Sequence, residues 1–201
     1  MSDDHGHDHN DRGHDHGHSD HGDHDHHHDH DHALIVDRLP EGSWTVDPHG
    51  SELLFKARAF RVLPVTGTFE DFRGSLTVDA AGAASGTLAV RMASVNSGWA
   101  RRDTRLRGPD YFEVDRHPEM VFTLEKLEPT GAEHQNLAGS LQIHERPIPL
   151  SFPVYLIAHG DHLHIEGEVD VDHDLAGLGW SKPFYLGDRV LLEAALTLQR
   201  A

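Results

Sequence analysis

Apolar and polar residues alternate with a period of two along most of the chain after Ser43. In the clearest stretch Leu163, Ile165, Val169 and Val171 alternate with charged or polar residues. Runs of the same kind occupy 75–78, 87–92, 137–143, 150–156 and 190–198. Successive side chains of a strand point to opposite faces, so each run predicts a strand with one apolar and one wetter face. About six to nine such strands with little helix indicate an antiparallel sandwich or barrel, and the pattern alone does not choose between them.

One irregular stretch, Arg101–Phe122, interrupts the alternation. Its first part places four charged side chains within about two turns, which predicts a short helix followed by a loop near 99–112. Pro109 ends that helix, because the residue before a proline is pushed out of the helical region. Tyr111 and Phe112 then provide an apolar plug, and a strand follows.

The motifs of this stretch and of two flanking segments point to a known family. The stretch contains Arg-Asp at 102–103, Leu-Arg at 106–107, Asp-Tyr-Phe at 110–112, Glu-Val at 113–114, His-Pro at 117–118 and Val-Phe at 121–122. The flanking segments are Trp-Thr-Val-Asp-Pro at 44–48, followed by Ser51 and Phe55, and Gly-Thr-Phe-Glu-Asp-Phe-Arg-Gly at 67–74. Over Ser43–Leu198 the chain thereby resembles the YceI-like family of bacterial polyisoprenoid-binding proteins. The resemblance implies an all-β fold, a single antiparallel lipocalin-like barrel.

The same resemblance implies a non-catalytic protein that holds an isoprenoid, a quinone or a similar long apolar lipid inside the barrel. A barrel of about eight strands has an interior just wide enough for side chains or for one slim ligand. Aromatic side chains are candidates to line such a cavity, although the sequence does not tell which strand face looks inward. The candidate ligand-binding residues are Phe55, Phe69, Phe72, Trp99, Arg102, Arg105, Phe112, Phe122, Phe152, Trp180 and Phe184.

The arginines of the irregular stretch have two interpretations. The favoured one is that neighbouring acids such as Asp103 and Glu113 neutralise them. The alternative is that the cluster meets a pyrophosphate or quinone head group at the barrel mouth, because guanidinium groups bind planar and phosphate oxygens well. The cluster consists of Arg101, Arg102, Arg105 and Arg107.

Two segments depart from the family pattern. The loop 144–149 reads His-Glu-Arg-Pro-Ile-Pro, and the segment 172–182 reads Asp-His-Asp-Leu-Ala-Gly-Leu-Gly-Trp-Ser-Lys. Both are expected at ends of the barrel, so the identity of the ligand stays open.

Residues 1–32 differ in composition from the rest of the chain. They hold 13 of the 21 histidines and 10 of the 34 acidic residues, and Arg12 is their one basic residue. A segment with almost no apolar side chains cannot bury enough area to offset the entropy of ordering, so it is expected to be disordered without a ligand. The predicted organisation is a tail over 1–32, a linker over 33–42 and a barrel domain over 43–201.

The histidines of the tail are candidate metal ligands, because neutral imidazole binds zinc, nickel, cobalt and copper ions. They are His5, His7, His9, His14, His16, His18, His21, His24, His26, His27, His28, His30 and His32. The alternative function is therefore metal storage or delivery by the tail, with the barrel as a scaffold. A second candidate group is His159, His162, His164 and His173, although isolated strand histidines are more often ordinary surface residues.

Charge and composition argue against several other classes of protein. The formal charge is −17 for the chain and −8 outside the tail, whereas nucleic-acid binding needs a basic face. The chain has no cysteine, which excludes disulfides and thiolate metal sites. It also lacks a nucleophile elbow and a phosphate-binding glycine loop, so no enzyme activity is expected.

The expected location is the cytoplasm. No run approaches the roughly 18 apolar residues of a membrane helix, so the protein is not expected to be integral to a membrane. No secretory signal is recognisable either, although members of the resembled family are often exported. Whether the protein forms a homodimer stays open.

Overall fold

The computed structural model describes residues 34–35, 38–59, 63–130, 134–172 and 189–201. Within them the strands are β1 (Leu34–Ile35), β2 (Gly42–Val46), β3 (Glu52–Ala59), β4 (Leu63–Phe69), β5 (Phe72–Val78), β6 (Ala84–Arg91), β7 (Val95–Asn96), β8 (Glu119–Pro129), β9 (Gln135–Gln142), β10 (Pro147–His159), β11 (His162–Asp172) and β12 (Arg189–Arg200). The α-helix of these residues is α1 (Ala100–Arg107), and short 3₁₀ turns occupy Pro48–Gly50 and Met92–Ser94. The predicted all-β class is confirmed.

Eight of the strands close into an antiparallel barrel. The order around the barrel is β2, β5, β6, β8, β9, β10, β11, β12 and back to β2. This closure confirms the barrel implied by the family resemblance and excludes the sandwich.

The barrel is extended on one side by β3, β4 and β7. Near its end β12 pairs with β2, through Leu198 and Val46, whereas nearer its start it pairs with β3, through Leu192 and Phe55. The chain passes from β2 to β3 through the turn at Pro48–Gly50, where the carboxylate of Asp47 accepts a hydrogen bond from a backbone N–H at 3.0 Å. β4 then pairs with β3 and with β7.

The alternation predicted from the sequence separates the residues that face the barrel interior from those that face outward. On β11, Leu163 and Val171 are buried, whereas Glu166, Glu168 and Asp170 are exposed. The buried residues of all the barrel strands form one apolar cluster. Burial of apolar surface is the dominant favourable contribution to folding, so this cluster is the core of the barrel.

The irregular stretch folds as predicted. Helix α1 ends at Arg107, with Gly108 as its C-cap and Pro109 directly after it. Tyr111 and Phe112 are buried and belong to the core. In the described part of the chain no helix combines the length and the apolar character needed to cross a membrane.

Several predictions fall outside the described residues. These are the tail 1–32 with all its candidate metal ligands, Trp180, Phe184 and His173. Within the predicted linker, Leu34 and Ile35 pair with Ala158 and Ile157 of β10, and Leu39 is buried. Part of that linker therefore packs on the barrel.

Candidate ligand-binding cavity

A cavity of about 160 Å³ lies inside the barrel. Three of the candidate aromatic residues, Phe69, Phe122 and Phe152, line it. Most of the remaining wall is aliphatic and includes Val46, Leu88, Leu124, Leu137, Leu141, Leu150, Ile165, Val169, Leu192 and Leu196. The charged residue among the described lining residues is Glu193, which forms an ion pair with Lys56.

The position of each lining residue follows from the period of the strands. On β12 the even-numbered residues Leu192, Ala194, Leu196 and Leu198 line the cavity, and on β11 the odd-numbered Ile165, Gly167 and Val169 do so. Sequence analysis singled out the aromatic residues and missed these aliphatic positions. The signal that identifies them is the phase of the alternation, because in each strand the more apolar set of alternate residues faces the interior.

Two glycines leave room for the aromatic rings inside the barrel. A Cβ atom at Gly139 would meet the carbonyl oxygen of Thr123 and lie 2.7 Å from Cζ of Phe122. A Cβ atom at Gly167 would lie 2.8 Å from Cγ1 of Val154 and 3.3 Å from Cε2 of Phe152. Larger residues at these positions would displace the walls of the cavity.

The phenylalanines fall into two groups. Phe122 and Phe152 make an edge contact inside the cavity, with ring centroids 6.2 Å apart. Phe69 lines the cavity and contacts Phe55 at 5.6 Å and Phe112 at 6.2 Å. Phe55, Phe72 and Phe112 are buried in the core without lining the cavity. The aromatic core therefore continues from the cavity to the plug that follows α1.

Arg102 anchors the start of α1 to the preceding loop. Its Nε donates to Oγ of Ser97 at 2.7 Å, and its Nη2 donates to the carbonyl oxygen of Ser97 at 2.6 Å. Asp103, which is 6% exposed, accepts hydrogen bonds from the backbone N–H and the hydroxyl of the same serine. The Arg-Asp motif thus places both of its side chains on one serine.

The other arginines of α1 and its N-cap residue also lie outside the described cavity wall. Arg107 donates to the carbonyl oxygens of Ala93 and Val95 at 2.7 and 2.8 Å. Trp99 is 59% exposed and has the guanidinium of Arg102 5.8 Å from its ring centroid. Arg105 is exposed. The described hydrogen bonds of Arg102 and Arg107 go to a hydroxyl and to backbone carbonyl oxygens, and Asp103 is linked to Arg102 through their shared Ser97. Neutralisation of these arginines by the acids of the same segment stays a prediction.

The plug after α1 is held by the loop between β9 and β10. Nε2 of His144 lies 3.2 Å from the carbonyl oxygen of Phe112, and the ring of His144 stacks on His117 at 4.2 Å. Glu113 adopts a φ of 48°, a left-handed conformation that costs a non-glycine residue about 1–3 kcal/mol. The surrounding contacts hold this conformation, so the plug has a defined shape at this end of the barrel.

The carboxyl group whose pKa is clearly shifted, Glu119, lies outside the described cavity wall. Hydrogen bonding from Arg73 at 2.7 and 3.0 Å lowers the pKa of Glu119, and the pair lies on the exposed surface. Among the described residues no three histidines, aspartates or glutamates are grouped closely enough to hold a metal ion. His159 and His162 are cross-strand partners, and His164 instead contacts Oγ1 of Thr197 at 2.9 Å.

Comparison with known sequences gives matches over most of the barrel. The model of the YceI-like domain family matches residues 44–198. A UPF0312 protein of Azotobacter vinelandii is 32% identical over 96 residues, which are 47% of this chain and 50% of that protein. Protein YceI of Escherichia coli O157:H7 is 30% identical over 97 residues, with 47% and 50% covered. The chain thus spans about half the length of the curated relatives it matches.

Two solved structures share the architecture. BcnA of Burkholderia cenocepacia superposes with a TM-score of 0.69 at 22% identity, covering 76% of this chain and 98% of that one. A structure described as a polyisoprenoid binding domain from Saccharophagus degradans, implicated in plant cell wall breakdown, gives 0.65 at 16% identity, covering 79% and 98%. At these identities the likeness shows the fold alone.

Proposed function

The chain belongs to the YceI-like domain family, and from this premise we propose that it is a binding protein that holds an isoprenoid or a similar long apolar chain in its barrel. The observation that carries the proposal is the cavity, whose described wall is aliphatic and aromatic apart from a few polar groups. An apolar cavity of about 150 Å³ stays dry and takes up small apolar molecules. The cavity of about 160 Å³ therefore favours a hydrocarbon over water.

The polar part of such a ligand is proposed to lie outside the cavity. Arg102 and Arg107, the obvious groups for a pyrophosphate or quinone head group, already donate to a serine and to backbone carbonyl oxygens. A head group competing for them would have to break these hydrogen bonds, each of which contributes about 0.5–1.5 kcal/mol to stability. Recognition is therefore assigned to the apolar chain, which is compatible with an isoprenoid alcohol and with a quinone.

Mass spectrometry of the organic extract of the purified full chain tests the proposal. The expected result is an apolar lipid that co-purifies with the unsubstituted chain. Phe122→Ala and Phe152→Ala should each retain an amount of this lipid that differs from the amount on the unsubstituted chain. Tyr155→Ala is the matched control, because Tyr155 is 47% exposed on the outside of β10. An extract identical to that of an unrelated protein purified in the same way would contradict the proposal.

A second function is proposed for the tail, on the strength of its thirteen histidines. We propose that residues 1–32 bind divalent ions such as zinc, nickel, cobalt or copper through neutral imidazole groups. An unperturbed histidine titrates near pH 6.5, so binding should be strong at about pH 7.5 and largely lost at about pH 5.5. Calorimetric titration with zinc and with nickel, on the full chain and on the chain from Ala33, measures this. Equal binding by the shortened chain, or binding independent of pH, would refute it.

A further inference from the structure

Strands β10 and β11 pair along only about half of their length. Their register runs from His159 and His162 to Val154 and Gly167, where it stops. Beyond that point β10 continues to Pro147 with β9 as its neighbour, and β11 continues to Asp172 with β12 as its neighbour. In the described part of the chain, residues 147–153 and 168–171 thus form no β-ladder with each other, although β9 and β12 pair with their other edges. We call the space between these two segments the β10–β11 gap.

Three prolines prevent a ladder of backbone hydrogen bonds from forming across this gap. Pro147, Pro149 and Pro153 occupy alternate positions of β10. In an antiparallel ladder a residue exchanges both backbone hydrogen bonds with the same neighbour, and alternate residues face opposite neighbours. Proline has no N–H to donate, so these residues are not the ones that bond to β9, and they face the gap. Of the four positions that face it, Ser151 alone has an N–H group.

Side chains on both sides of the gap line the cavity. Leu150 and Phe152 of β10 and Val169 of β11 line the cavity on the two sides of the gap. The ring of Phe152 lies beside Gly167, the last paired residue of β11, where a Cβ atom would lie 3.3 Å from its Cε2. Phe152 therefore stands at the corner where the two strands part.

The two ends of the barrel are occupied by described side chains. At one end Trp44, which is 1% exposed, packs within the core and has Arg200 4.5 Å above its ring. At the other end the plug residues Tyr111 and Phe112 are each 8% exposed. A route along the barrel axis would have to displace one of these groups, whereas Phe152 is the described cavity-lining ring at the point where β10 and β11 part.

We propose that the β10–β11 gap is the route by which an apolar chain enters and leaves the cavity, with Phe152 as the side chain that moves. The proposal rests on the proposed function, since it assumes an apolar ligand in the barrel, and it adds the path and the gating residue. A cavity of about 160 Å³ takes roughly one benzene-sized group. A longer chain therefore continues out through the gap.

Crosslinking across the gap tests the proposal in the full chain, which has no cysteine of its own. Ser151→Cys combined with Asp170→Cys puts one exposed thiol on each edge, and a bifunctional maleimide joins them after folding. The matched control is Tyr155→Cys with Glu166→Cys, at exposed register partners in the half where the strands already pair. The probe is cis-parinaric acid, a fluorescent fatty acid, whose uptake and release are followed by stopped flow.

The expected result is that the crosslink across the gap slows both uptake and release about tenfold or more, as closing a gate would. The control crosslink should leave both rates unchanged, and both double variants should exchange the probe like the parent chain before crosslinking. Unchanged rates after crosslinking the gap would overturn the route while leaving the proposed function intact. A parent chain that binds no probe would overturn the proposed function and the route with it.

Discussion

A substitution that fills the cavity from one wall should raise the stability of the barrel and weaken the binding of an apolar ligand. The two effects can be measured separately. Ala194 of β12 lines the cavity, and its register partners are Gly167 on one side and Leu53 on the other. Ala194→Leu adds three carbon atoms at a place where one neighbour has no side chain. The added atoms point into the cavity, because the even-numbered residues of β12 face inward.

The expected gain follows from the cavity volume. An unfilled cavity costs about 24 cal/mol per Å³, so 160 Å³ corresponds to roughly 4 kcal/mol. Each carbon moved from water into an apolar interior contributes about 0.8 kcal/mol, so three carbons contribute about 2 kcal/mol if they fit without strain. We therefore expect Ala194→Leu to raise the free energy of unfolding by about 2 kcal/mol and to weaken the binding of an apolar probe.

Urea denaturation with an unchanged slope measures the free energy of unfolding, and titration with cis-parinaric acid measures binding. The control is Ala195→Leu, which faces outward on the same strand and should change stability by less than about 0.5 kcal/mol. A loss of about 1–3 kcal/mol in Ala194→Leu, as overpacking produces, would show that the space is already filled. A gain in stability with unchanged probe affinity would show that the probe binds elsewhere.

Three further substitutions test individual contacts. Asp103→Ala removes the buried acceptor of the half-buried N–H and hydroxyl of Ser97 and should cost about 1–3 kcal/mol in urea denaturation, whereas the exposed Asp110→Ala should cost nearly nothing; equal effects would contradict the burial argument. Gly139→Ala places a Cβ against a carbonyl oxygen of β8 and should cost about 3 kcal/mol by the same assay; an unchanged stability would refute that close approach. The bond from Arg73 lowers the pKa of Glu119, so its stabilising effect is present above the ordinary glutamate pKa and is lost as pH falls through the lowered folded-state pKa. NMR titration of Arg73→Ala should show the pKa of Glu119 rising towards its ordinary value, and an unchanged pKa would exclude this bond as the cause.

Alternation along the strands was sufficient to predict most of the fold, because burial on one face gives each strand a distinct pattern. Leu163, Val171 and Leu198 are buried as their positions in the pattern predict. The helix at Ala100–Arg107 was predictable from Pro109 and from the loss of period two. Closure into a barrel was not, because it depends on which distant edges pair, and only the family resemblance supplied it.

The candidate site was harder to predict than the fold. Residue type pointed to the aromatic residues, yet Phe55, Phe72 and Phe112 belong to the core beside the cavity. Their separation from Phe122 and Phe152 depends on how the strands tilt and how the plug packs, which no local pattern encodes. The role of Arg102 likewise depends on a loop serine brought close by α1, which Arg102 shares with its sequence neighbour Asp103.

The most direct test of binding inside the barrel is to locate the residues that a bound apolar chain contacts. Intermolecular nuclear Overhauser effects between unlabelled farnesol and the methyl groups of ¹³C-labelled leucine and valine locate the bound chain. Binding inside the barrel predicts contacts to the inward-facing Leu137, Val169 and Leu196, and none to the exposed Leu63. Contacts confined to Leu63, or none to the three inward-facing residues under saturating farnesol, would contradict binding inside the barrel.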